Sequence, residues 1–219
     1  MKKLNSVLLL VALAIGCASL GHAQNATLTG NATLSPWAAA TALPQTTPAL
    51  LSTKADAMLA VATTAPQLKA AYYLKLNAVV RLSNAAAART VPVPTGLTVD
   101  ANEVTMNIAL GSGDWTTGAT ACRALIATTP TNPNYYMQLF NACQQAHTSA
   151  HAEAVQAINT YPFAKQVSFA QACWRALDRS QLSKDQLTAL INKLLLTVDV
   201  TPDSVNFLGM LKSNLEMIQ

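Results

Sequence analysis

The chain is expected to be all-α, and three observations predict it. Leucine, valine and methionine recur at three- and four-residue spacing, the period of a helix face rather than of a strand. A proline preceded by Ser, Thr or Ala opens one apolar run after another, at Ser35-Pro36, Thr47-Pro48, Ala65-Pro66 and Thr201-Pro202. Proline tolerates the first helical position because that amide has no partner anyway, and a preceding hydroxyl can accept from the free amides. Large β-branched residues are not gathered into alternating runs.

Taken in order, 37–43 reads as a short helix. The segment from Thr47-Pro48 to about 62 follows, with Leu50, Leu51, Ala55, Met58 and Leu59 at helical spacing. Ala65-Pro66 opens a third helix with Leu68, Tyr72, Leu76, Val79 and Val80 on one face. Residues 89–99 hold Pro92, Pro94 and Gly96 and are expected to be an extended crossover. Asp100 and Glu103 form a capping-box pattern that starts a helix ending at Gly111. Asp114 caps the next helix, 115–128. A turn at 130–133 leads into 134–146, then 150–160 with Ser149 as its cap, and then 166–178. Ser183 and Gln186 make a second capping box, opening a helix through Val198. Thr201-Pro202 is expected to open the last. Short connections force antiparallel neighbours, so the architecture is a series of helix hairpins, arranged as an irregular α-solenoid or closed into a compact bundle.

The first residues predict an address. Met1-Lys2-Lys3 is a basic start, residues 7–15 are unbroken apolar, and Gly21-His22-Ala23 supplies small residues for a signal peptidase. The domain expectation is therefore a signal peptide at 1–23, a flexible segment with a possible short helix at 24–45, and a helical domain at 46–219. Processing at Cys17 as a lipid anchor is the alternative, because the apolar run ends at Ala14-Ile15-Gly16-Cys17. Either way the chain is expected to be exported, to the periplasm or the cell exterior.

Composition narrows the function classes. With 51% hydrophobic and 11% charged residues, the chain has ample apolar surface to bury and is not disordered as a whole. The formal charge of +4 includes Lys2 and Lys3 of the signal, and the remaining basic residues are scattered. No basic stripe follows a phosphate backbone, so nucleic acid is not an expected partner. No segment after the signal is long and apolar enough to be expected to span a bilayer.

Three cysteines follow the signal. Cys122 and Cys143 stand symmetrically about the 130–133 turn, at the same height of an antiparallel hairpin and on matching faces. A disulfide between them is expected, permitted by small neighbours at Gly118, Ala119, Ala121, Ala142 and Ala146 and by an oxidising compartment. Cys173 is left over. His147 and His151 are spaced i, i+4 and are the candidates for a metal, but Thr148 stands where the catalytic zinc motif needs Glu, and Thr148-Ser149 reads as a helix break. No metal and no cofactor are therefore expected.

Gly113-Asp114-Trp115, the helix after it and Pro130 with Asn132-Pro133 resemble the second half of a tetratricopeptide repeat. Gly118 stands where that family prefers Ala. Export, hairpin architecture and the lack of a catalytic motif make the expected function an exported helical scaffold without catalysis, presenting a groove or face to a protein or peptide partner. The alternatives are an extracytoplasmic enzyme assembled from distant residues, with His147, His151, Glu153 and Cys173 the first to inspect, or a carrier of a small molecule or metal.

Overall fold

The structure is a computed structural model and describes residues 35–160 and 165–218. The expected signal, the Cys17 anchor and most of the 24–45 segment lie outside the described residues. Within them the fold is all-α, with eleven α-helices and no strand. These are α1 (Pro36–Thr41), α2 (Pro48–Val61), α3 (Ala65–Leu82), α4 (Ala85–Arg89), α5 (Ala101–Ser112), α6 (Trp115–Thr128), α7 (Pro133–Ala146), α8 (His151–Thr160), α9 (Val167–Ala176), α10 (Lys184–Thr197) and α11 (Val205–Ile218). No described helix is long and apolar enough to cross a membrane.

Local chemistry explains the boundaries. The Ser35 and Thr47 hydroxyls accept from the Ala38 and Leu50 amides, each beside a proline in the first turn. Asp114 caps α6 through the Thr117 amide, and the Thr117 hydroxyl first, then that amide, hold its carboxyl below the usual range. Asn132 caps α7. Ser183 and Gln186 form the expected capping box at the start of α10.

Three boundaries differ from expectation. Helix α5 runs through Gly111 to Ser112, and Gly113, at φ 80°, ends it in the left-handed region that glycine enters without strain. Asp178 lies beyond α9, which stops at Ala176. There its carboxylate caps a 3₁₀ turn, Arg179–Gln181, by accepting from the Ser180 amide. Thr201-Pro202 does not open α11. Residues 202–204 are a turn, and the fully buried Ser204 organises it by accepting from the Thr201 amide and donating to the Asp199 carbonyl.

The chain divides into two compact units. Among the described residues, the first runs to Ala78 and includes Pro92–Leu97. Its core joins Ala40 of α1, Leu51, Ala55 and Met58 of α2, and Ala71, Leu74 and Ala78 of α3, with Trp37 packed against it. Lys75 crosses from α3 to donate to Ser52 at 2.8 Å and to Asp56 at 2.6 Å. Helix α3 is buried on more than the one face its sequence suggests. Ala71, Leu74 and Ala78 lie on one side, and Tyr72 and Leu76 on another.

The second unit comprises Val79–Val91 and the residues from Thr98 onward. Its helices pack against the one or two that precede them: α4 with α5, α5 with α6, α6 with α7, α7 with α8 and α9, α8 with α9 and α10, and α10 with α11. The core is large and aromatic. Tyr136 is fully buried, with the Phe169 ring edge-on to it at 6.3 Å and Phe140 tilted at the same distance. Trp174 is buried beneath the Arg179 guanidinium, 5.3 Å from its ring. A Cβ on Gly118 would run into the Leu110 side chain. Helices α5 and α6 therefore approach closely there.

Candidate functional site

Most polar side chains of the second unit cap or back-bond their own helices, and a few join one helix to another. Glu103 of α5 is buried, and its carboxylate accepts from the Tyr135 hydroxyl of α7. Burial first, and then that bond, raises the Tyr135 phenol above its ordinary pKa. The capping-box reading of Glu103 missed this. A signal was present, because Glu103, Met106 and Leu110 share one helical face, and an acid on an apolar face needs a partner.

Arg123 of α6 is a second junction. Its Nε donates to Glu153 of α8 at 2.7 Å, and one Nη donates to the Ser149 carbonyl at 2.9 Å. The same Nη lies 3.7 Å from Cys143 Sγ on α7. One side chain thus ties α6 to the end of α7, to the connection after it and to α8. The guanidinium is stabilised chiefly by the Glu153 bond.

The six residues singled out from the sequence do not converge. His147 is the residue after α7 and adopts φ 54°, so the helix ends at it. His151 begins α8, and its Nδ1 accepts from the Asp178 amide at 3.1 Å. That lone pair is engaged by backbone, and the two histidines sit on separate helices rather than on one face of a continuous one. Glu153 is held by Arg123. Among the described residues, no three His, Cys, Asp or Glu side chains gather as a metal would require.

The expected Cys122–Cys143 bridge is not made in this structure. Cys122, Cys143 and Cys173 are all buried thiols. The hairpin of α6 and α7 is as expected, and both sulfurs enter the same core. A bridge needs Cα atoms about 4.4–6.8 Å apart, closer than the 8–10 Å or so of ordinary helix packing. Burial, with Cys143 as a second contributor, pushes the Cys122 thiol up to about 12. Burial likewise raises Cys173 to about 12, which makes it a core residue rather than a nucleophile.

A half-open groove of about 180 Å³ lies between α8 and α10, lined by Val155, Asn159, Leu182, Gln186, Ala189 and Leu190. It carries no charge. Gln186 gives its carbonyl to the Ser183 cap, which leaves its amide hydrogens as donors. Ala189 and Leu196 share a face of α10, two turns apart, and Leu196 is 87% exposed. Val200, just beyond the helix, is 81% exposed. Leu196 falls off the apolar face that Leu187, Leu190, Ile191, Leu194 and Val198 mark in the sequence, but nothing there shows that α8 lies alongside. No family model matches the chain, and neither a curated protein nor a solved structure matches it.

Proposed function

We propose that the chain is an exported helical scaffold that binds a protein or peptide segment. The observation that supports this best is the uncharged α8–α10 groove, whose α10 wall continues toward Leu196 and Val200. Apolar side chains exposed this fully, alongside a concave strip, are characteristic of interaction surfaces. The lining suits an uncharged segment: Val155, Leu182 and Leu190 receive an apolar side chain, while Asn159 and Gln186 meet backbone groups. Glu103, Tyr135, Arg123 and Glu153 are meanwhile engaged between helices. Export rests on the basic and apolar start of the sequence and on the small residues before Gln24.

Two measurements test the reading. A photo-crosslinking residue at Ala189, in protein secreted by its own host, is expected to capture a polypeptide, and Leu196→Glu with Val200→Glu is expected to abolish the adduct. Adducts unchanged by the double substitution would overturn the assignment of this surface. Mass spectrometry of the exported protein is expected to find Gln24 at the N-terminus. A lipidated Cys17 or a retained Met1 would overturn the free secreted form.

A further inference from the structure

The outer face of α11 is distinct from the groove and is self-complementary. The helix buries Phe207, Leu208 and Leu211 against the core. On the opposite side Gly209 is central, and a Cβ placed there would have nothing within 4 Å. At 100° per residue, Met210 and Met217 fall on one flank of that face, and Lys212 and Glu216 on the other. Met210 is 38% exposed and Met217 76%. Lys212 and Glu216 are both exposed, stand one turn apart, and form no ion pair among the described residues.

We propose that this face is a docking surface for a second copy of the chain, with the two α11 helices antiparallel about a two-fold axis. A two-fold axis perpendicular to the helices brings like flanks together, so methionines meet methionines and charges meet charges. The register follows from the sequence. Pairing Lys212 with Glu216 of the other copy, and its reciprocal, places the axis level with residue 214. Pairing Met210 with Met217 of the other copy places it midway between 213 and 214, within half a residue of the same height. The apolar contact and the charge contact therefore select one register independently. Flexible thioethers suit an interface made and broken reversibly. One helix face per copy is a small contact, so the dimer is weak and reversible.

Sedimentation velocity of the purified protein over a concentration series tests this. A reversible monomer–dimer equilibrium is expected for the natural chain. Lys212→Glu alone and Glu216→Lys alone each place like charges opposite one another, and each is expected to weaken association at least about tenfold. An equimolar mixture of those two variants restores both ion pairs across the interface and is expected to dimerise as the natural chain does. So is the double variant Lys212→Glu/Glu216→Lys. Met217→Glu is expected to be monomeric, and circular dichroism should be unchanged in all variants because every substituted side chain is exposed. A natural chain that stays monomeric at every concentration overturns the proposal. So does a dimer indifferent to Met217→Glu, or a mixture that fails to re-associate.

Discussion

Among the described residues, the buried cluster of the first unit is Ala40, Leu51, Ala55, Met58, Ala71, Leu74 and Ala78, four alanines among seven residues, with the Trp37 ring packed against it. The second unit's core holds Tyr135, Tyr136, Phe140, Phe169, Trp174 and Phe207 among its aliphatic residues. Both are helices packed on helices, yet they reach burial differently. Alanine lets helix backbones approach closely but removes little apolar area per residue, whereas each aromatic side chain removes roughly 150–250 Å². The polar links differ in kind as well. The first unit uses Lys75 with Ser52 and Asp56 near the surface, while the second uses a buried Glu103–Tyr135 bond and the Arg123 junction. The same secondary structure can thus rest on two packing regimes, and these should respond differently to substitution.

The largest expected difference is in core truncation. Phe169→Ala removes a ring that is 3% exposed and edge-on to Tyr136, and should destabilise by about 3–5 kcal/mol in urea unfolding. Leu51→Ala, at a fully buried position of the first unit, should lower stability by about 2–3 kcal/mol, because small neighbours close in on the cavity more readily. Equal losses at the two sites would erase the distinction between the cores. Next is Gly118→Ala, which sets a methyl against Leu110. It should destabilise by about 1–2 kcal/mol, less if the Leu110 side chain swings aside. A stabilising Gly118→Ala would show that α5 and α6 are not closely apposed.

Two smaller effects sharpen the picture. His147→Gly relieves a left-handed residue at a helix end and should raise stability by about 0.5–1 kcal/mol, visible as a higher melting temperature. Lys54 lies on the buried face of α2, and burial holds its ammonium below the ordinary value of 10.5. Between that lowered pKa and 10.5 the folded protein binds fewer protons than the unfolded chain, so stability should rise with pH across the window. Lys54→Met should remove this rise and add a few tenths of a kcal/mol at neutral pH, since no charge is then desolvated. A difference between natural and variant protein that does not change with pH would mean that Lys54 reaches water freely.

Helix placement was legible in the sequence because it depends on local chemistry. Ser35, Thr47, Asp114, Asn132 and Ser183 cap within three residues of themselves, and a prolyl ring needs no distant partner to start a helix. The pairing of α6 with α7 was legible for the same reason, because the turn between them fixes which residues face one another. What escaped were features set by contacts distant in the chain. Glu103 caps or ties depending on where Tyr135 lies, 32 residues on. Periodicity tells Leu194 from Leu196, since only Leu194 falls on the expected apolar face of α10, but the groove beside them depends on where α8 lies. Whether two cysteines at equal height are bonded depends on a few ångströms of helix separation, which no periodicity encodes.

The succession of contacts along the second unit bears on how the chain reaches this state. Each helix leans on those made just before it, so its native pairings close short spans of chain, which favours rapid folding. Arg123 reaches Glu153 across 30 residues and can engage only once α7 has turned back and α8 has begun. Synthesis proceeds from the amino end, so helix after helix can be set down in order, and the Arg123 clasp can close over α6, α7 and α8 before α11 is made.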